Sequence, residues 1–132
     1  MLIALAIVGL ALAVVVGLRA CRGEEITSEA GIGRAIIGQN DALQREDYVA
    51  FQRFTCAAEQ GSETAVLAGQ RRSVQLRGAR YVDDVRGFEV NTDRATATVV
   101  YHFEKSVDDK LTTEMTFVRE DGNWKVCSAG PQ

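Results

Sequence analysis

Leu111–Cys127, LTTEMTFVREDGNWKVC, carries the pattern of two strands joined by a tight turn. Leu111, Met115 and Phe117 alternate with Thr112, Glu114 and Thr116, the two-residue period of a strand with one face on a core. Asp121-Gly122 is a hairpin signal, because the favoured two-residue turn needs residues that tolerate positive φ. The turn at Glu120–Asn123 returns the chain through Trp124 and Val126 to Cys127. That cysteine needs a partner, and its partner decides how the fold closes.

Working outward, the residues before this hairpin alternate as well. Ala95, Ala97, Val99, Tyr101 and Phe103 interleave with Thr96, Thr98, Val100 and His102 in a long half-buried strand. Tyr81 to Val90 reads as the preceding strand, with an irregularity at Gly87, and Asn91-Thr92-Asp93 is the turn between them. Lys105 to Lys110 reads as a charged loop. Upstream of Gly78 the period becomes helical. Ser28 is placed to cap a helix carrying Ile32, Ala35, Ile36 and Leu43. Its glycines 31, 33 and 38 weaken it by about 1 kcal/mol each and leave room for a close neighbour. Asp47 caps a second helix with Tyr48, Phe51, Phe54 and Thr55 on one side and Cys56 in its last turn. Ser62 opens a third, running to about Leu76 with Val66, Leu67, Val74 and Leu76 as its apolar residues, and Gly78 suits its end. Three helices followed by four antiparallel strands predict an α+β roll, a curved sheet around helices enclosing a cone-shaped cavity.

The chain has 132 residues, enough for one domain at 23–132 behind a short segment at 1–22. Of its 15 Lys and Arg, Arg19 and Arg22 precede Gly23, which leaves 13 basic against 18 acidic residues and a formal charge of −5 on the body. An acidic body whose only basic doublet is Arg71-Arg72 argues against nucleic acid as a partner. The three cysteines show no C-x-x-C spacing and the one histidine is His102, so neither a metal site nor a cofactor is expected. In an oxidising compartment Cys56 and Cys127 would pair, leaving Cys21 over. In a reducing one they would be buried thiols.

Met1 to Leu18, MLIALAIVGLALAVVVGL, has no polar side chain and would span about 27 Å as a helix, enough for a bilayer core. It reads as a signal-anchor that holds the domain at the extracytoplasmic face of a membrane. Leu18-Arg19-Ala20-Cys21 is a second reading, a lipobox with Arg19 where a small residue belongs and Cys21 as the lipid carrier. Arg19 and Arg22 behind the segment pull towards the opposite topology. Gly9, Ala13 and Gly17 form a small-residue stripe through which two such helices could pair, with Cys21 as an intermolecular link.

The helix boundary Gln44-Arg45-Glu46-Asp47-Tyr48, Cys56 at the second helix's end, and the terminal Asp121-Gly122-Asn123-Trp124-Lys125-Val126-Cys127 resemble the NTF2-like (SnoaL, cystatin-like roll) domains. The likeness covers roughly residues 28 to 128 and is greatest to small membrane-anchored or secreted, disulfide-containing members of the actinobacterial cell envelope. Such domains include enzymes, ligand binders and interaction modules, so the resemblance implies fold more than function. A Cys56–Cys127 bond would tie the second helix to the last strand. Alternation sets Cys127 opposite Trp124 and Val126, so the bond requires a bulge in that strand or a position at its frayed end.

No catalytic motif is present. By alternation His102 points to the polar outer face, and Asp83-Asp84 sits beside Arg80 and Arg86, where salt bridging accounts for it. The leading expectation is a non-catalytic envelope module that docks on an envelope protein, or on a second copy, through the threonine-rich sheet face. Another is a binder of an apolar small molecule or lipid in the cone, lined by Tyr48, Phe51, Tyr101, Phe117 and Trp124. An isomerase- or hydratase-like enzyme using Asp83, Asp84 or Tyr101 is the third.

Overall fold

A computed structural model describes residues 27–132. The N-terminal segment 1–22, with the expected anchor and Cys21, lies outside them. Among the described residues no helix is long and apolar enough to cross a membrane.

Helix α1 (Ser28–Gln44) is capped by Thr27, whose hydroxyl accepts from the Ala30 amide at 3.2 Å. Ser28, the expected cap, is the first helical residue. Asp47 caps α2 (Tyr48–Phe54), accepting from Ala50 N at 2.9 Å, and Ser62 caps α3 (Glu63–Arg77), accepting from Ala65 N at 3.2 Å. A single 3-10 turn, Ala57–Glu59, stands between them. The strands β1 (Arg80–Asn91), β2 (Arg94–Phe103), β3 (Ser106–Glu120) and β4 (Asn123–Val126) form one sheet in that order, all pairs antiparallel.

The core lies between α1 and the inner face of the sheet. Ile32, Ala35 and Ile36 pack against Ala97, Val99, Tyr101, Met115, Phe117, Trp124 and Val126. Two glycines make the approach close. A Cβ on Gly31 would stand 2.7 Å from Trp124, and one on Gly38 would stand 2.5 Å from the Phe54 ring, whereas Gly33 meets nothing within 4 Å.

Three expectations need correction. The second helix stops at Phe54, because Thr55 turns extended and bridges Val126 in parallel, with Cys56 N donating to Val126 O at 2.9 Å. The charged stretch at 105–110 is only partly a loop. Ser106 already pairs with Phe103, and the register resumes at Leu111 opposite Tyr101, so the start of β3 carries the extra residues as an irregularity of register. The third helix buries its apolar residues only in part: Val66 packs half-buried against Ala42, Ala50 and Phe51, but Leu76 is 69% exposed, Val74 is also exposed, and the one buried residue is Gln70. It arches over a cavity instead of lying on the sheet.

The irregularity expected at Gly87 is a bulge between Arg86 and Glu89, with Gly87 at φ 64°. A second bulge, between Val82 and Asp84, makes Asp83 the extra residue of β1.

Candidate functional site

Cys56 and Cys127 form a disulfide with Cα atoms 5.2 Å apart. Strand β4 ends at Val126, so Cys127 sits just beyond its last paired residue; the frayed end, not a bulge, frees its side chain from the alternation. Its amide still donates to Thr116 O at 2.8 Å. The chain then runs as a tail, residues 128–132, back under α3.

Between α3, this tail and the inner helices lies a cavity of about 330 Å³. Gln39 and Leu43 of α1, Phe51, Thr55, Val66, Gln70 and Arg80 line it together with Ser128, Ala129, Gly130 and Gln132. Its wall is more polar than an apolar-ligand site requires. Arg80 opens β1 and is only 7% exposed. Its Nε donates to Asn40 Oδ1 at 2.9 Å, a terminal nitrogen donates to Pro131 O at 2.7 Å, and the guanidinium lies 4.9 Å from the Tyr101 ring centre. Burial works against its charge and lowers its pKa, while burial raises that of the Tyr101 hydroxyl. Gln39 donates to the Thr55 hydroxyl at 2.9 Å. The amide nitrogen of Gln70 and the hydroxyl of Tyr101 are buried without a partner among the described residues.

Of the five aromatic residues expected in the cone, only Phe51 stands in this wall. Tyr101 and Phe117 are fully buried in the core. Tyr48 stacks on Phe51 and donates its hydroxyl to Gly61 O at 2.5 Å. Trp124 forms the floor of a different groove. The reason is the seating of α1: it presses on the aromatic centre of the sheet and leaves the open end to polar residues.

The outer sheet face carries Thr96 opposite Thr116, Thr98 opposite Glu114 and Val100 opposite Thr112. At one end His102 Nδ1 donates to the Asp83 carboxylate at 2.8 Å, Lys110 Nζ donates to it at 3.1 Å, and Tyr81 stacks on the imidazole at 4.8 Å. The hydrogen bond from His102, reinforced by Lys110, holds the Asp83 carboxyl below its usual pKa. Asp84 pairs with Arg86 at 3.1 Å. Asp83 does not pair with Arg80, which points inward. The Asp83–His102 pair lies on the side of the sheet away from the cavity, so it offers no acid–base chemistry there.

A second, open groove of about 980 Å³ runs between the start of α1, the end of α2 and the β3–β4 hairpin. Among the described residues its charged lining is Arg34, Arg53, Arg119 and Lys125, with no acidic residue, and Phe54 and Trp124 form its apolar floor. Arg119 stacks over Trp124 at 4.9 Å and donates to the Ser28 hydroxyl at 3.3 Å. These cations are far apart in the sequence, which is why no basic cluster is visible in it. Gln39 and Arg80 did leave a trace: Gln39 continues the stripe of Ile32, Ala35 and Ile36, and Arg80 shares the alternation of Val82.

No family model matches the chain, and no curated protein matches it. Solved structures do. A cystatin-like-fold protein of unknown function from Nostoc punctiforme aligns with a TM-score of 0.57 at 12% identity, covering 77% of this chain and 89% of that one. A Mycobacterium tuberculosis protein of unknown function gives 0.52 at 12% identity, covering 73% and 65%. An NTF2-like protein of unknown function from Shewanella oneidensis gives 0.46 at 16% identity, covering 73% and 91%. Three helices packed on a four-stranded antiparallel sheet make this the cystatin-like fold.

Proposed function

We propose that the chain is a non-catalytic interaction module, held at the extracytoplasmic face of a membrane by Met1–Leu18, that docks an acidic segment of an envelope protein. The basic groove carries this reading: among the described residues four cations line it and no acid does, with only Arg119 reaching a carboxylate, that of Asp93 at 3.9 Å, in a domain whose formal charge is −5. An aromatic floor rimmed by arginines is the composition that anchors interfaces. The outer sheet face fits the role less well, because Asp83, His102 and Lys110 there already pair, as do Asp84 and Arg86, and Glu114 on that face is acidic. Placement outside the cytoplasm is supported by the disulfide, a bond that reducing compartments rarely retain.

The test is affinity purification of the whole chain from detergent-solubilised native membranes, with the combined variant Arg34→Glu, Arg53→Glu and Lys125→Glu alongside. A membrane protein that accompanies the unmodified chain, weakens with salt and is lost from the variant is the expected outcome. Recovery of the same partner by both chains, or of the unmodified chain alone, contradicts the reading.

A further inference from the structure

The cavity under α3 has a surplus of donors and a buried cation. Arg80 meets only neutral acceptors, the Asn40 side chain and the Pro131 carbonyl, and no carboxylate among the described residues. Gln70, 9% exposed, lines the same space with an unpartnered amide nitrogen. The unpartnered Tyr101 hydroxyl lies just behind the tail: a Cβ on Gly130 would stand 3.3 Å from it and 3.0 Å from the Arg80 guanidinium. Buried donors and buried charge are unfavourable unless something accepts from them.

We propose that this cavity binds a small organic carboxylate, with Arg80 as counter-charge and Gln70 as a further donor, in exchange for the contact of the tail with Arg80. A carboxylate offers two charged acceptor oxygens in the geometry a guanidinium matches, whereas the tail offers one neutral carbonyl. The volume, about 330 Å³, lies at the small end of ligand sites and suits a compact acid instead of a lipid chain. Phe51, Leu43 and Val66 supply an apolar side for its body. Of the other charges at the wall, Glu59 and Arg72 offset each other and the carboxylate of Gln132 is met by Arg77 at 2.7 Å, so Arg80 sets the sign. The site is separate from the basic groove and does not rest on the docking role.

The experiment titrates the whole chain in detergent with benzoate and hexanoate, and in parallel with benzamide and hexanamide. The Arg80 Nε–H resonance is the readout. Saturable shifts are expected with the acids, with the amides at least tenfold weaker. Gln70→Leu should weaken acid binding threefold or more, and Arg80→Met should abolish it. If Arg80→Met does not fold, the acid–amide comparison on the unmodified chain decides. Equal binding of acid and amide, no saturable shift with either acid, shifts confined to Arg34 and Arg53, or binding that survives Arg80→Met unchanged would each overturn the proposal.

Discussion

Gly31 shows how one missing methyl group governs the packing of this domain. It costs the helix about 1 kcal/mol relative to alanine, yet it seats Trp124 where a Cβ would stand at 2.7 Å. Because Trp124 is buried and backed by Arg119, it has little room to yield. Gly31→Ala should therefore destabilise the domain by about 1–3 kcal/mol. Gly33→Ala, with open space around it, should stabilise it by up to about 1 kcal/mol. Urea unfolding of the two variants checks the opposite signs. Asp83 offers a pH test. Its carboxyl is depressed in the fold, so its contribution is complete above the ordinary value of 3.8 and is lost as pH falls through the lower folded value. The difference in melting temperature between the unmodified chain and Asp83→Asn should hold steady from pH 6 to 5 and shrink below about pH 4. A difference that does not change down to pH 3 would exclude a depressed Asp83.

The elements were legible where both faces of a segment differ in polarity. The alternation of β2 and of Met115–Phe117, the Asp121-Gly122 turn and the caps Asp47 and Ser62 all read correctly, because each is fixed by local chemistry. The third helix was legible as a helix but not in its packing. Its apolar residues suggested a buried stripe, and nothing local reveals that it arches over a space where Gln70 turns inward. The same holds for both candidate sites, whose residues come from three or four elements and meet only in the fold. With so little apolar burial, α3 should exchange its amide hydrogens faster than α1. Hydrogen exchange read by mass spectrometry checks this; equal protection of the two helices would show that α3 is held by more than the contacts described. The disulfide works at the same scale. It closes a separation of 71 residues, for which the chain-entropy account gives up to about 4 kcal/mol. Reduction should lower stability by up to that amount and increase exchange first in β4 and the tail, since the two flank Cys127.

At the scale of the molecule, the sheet and α1 hold the core between them, while the basic groove opens at the start of α1 and the β3–β4 hairpin. The acidic body with a locally basic groove predicts salt-sensitive association: raising ionic strength from about 0.05 to 0.5 M shortens the Debye length from about 14 to 4 Å and should release a partner held there. The proposed placement of the chain outside a reducing compartment depends on the sulfur–sulfur bond between Cys56 and Cys127. The most direct measurement is alkylation of the intact chain, isolated without reductant, followed by peptide mass mapping. The account predicts that Cys56 and Cys127 stay unlabelled and are recovered as one cross-linked peptide pair. Full labelling of both as free thiols would contradict it.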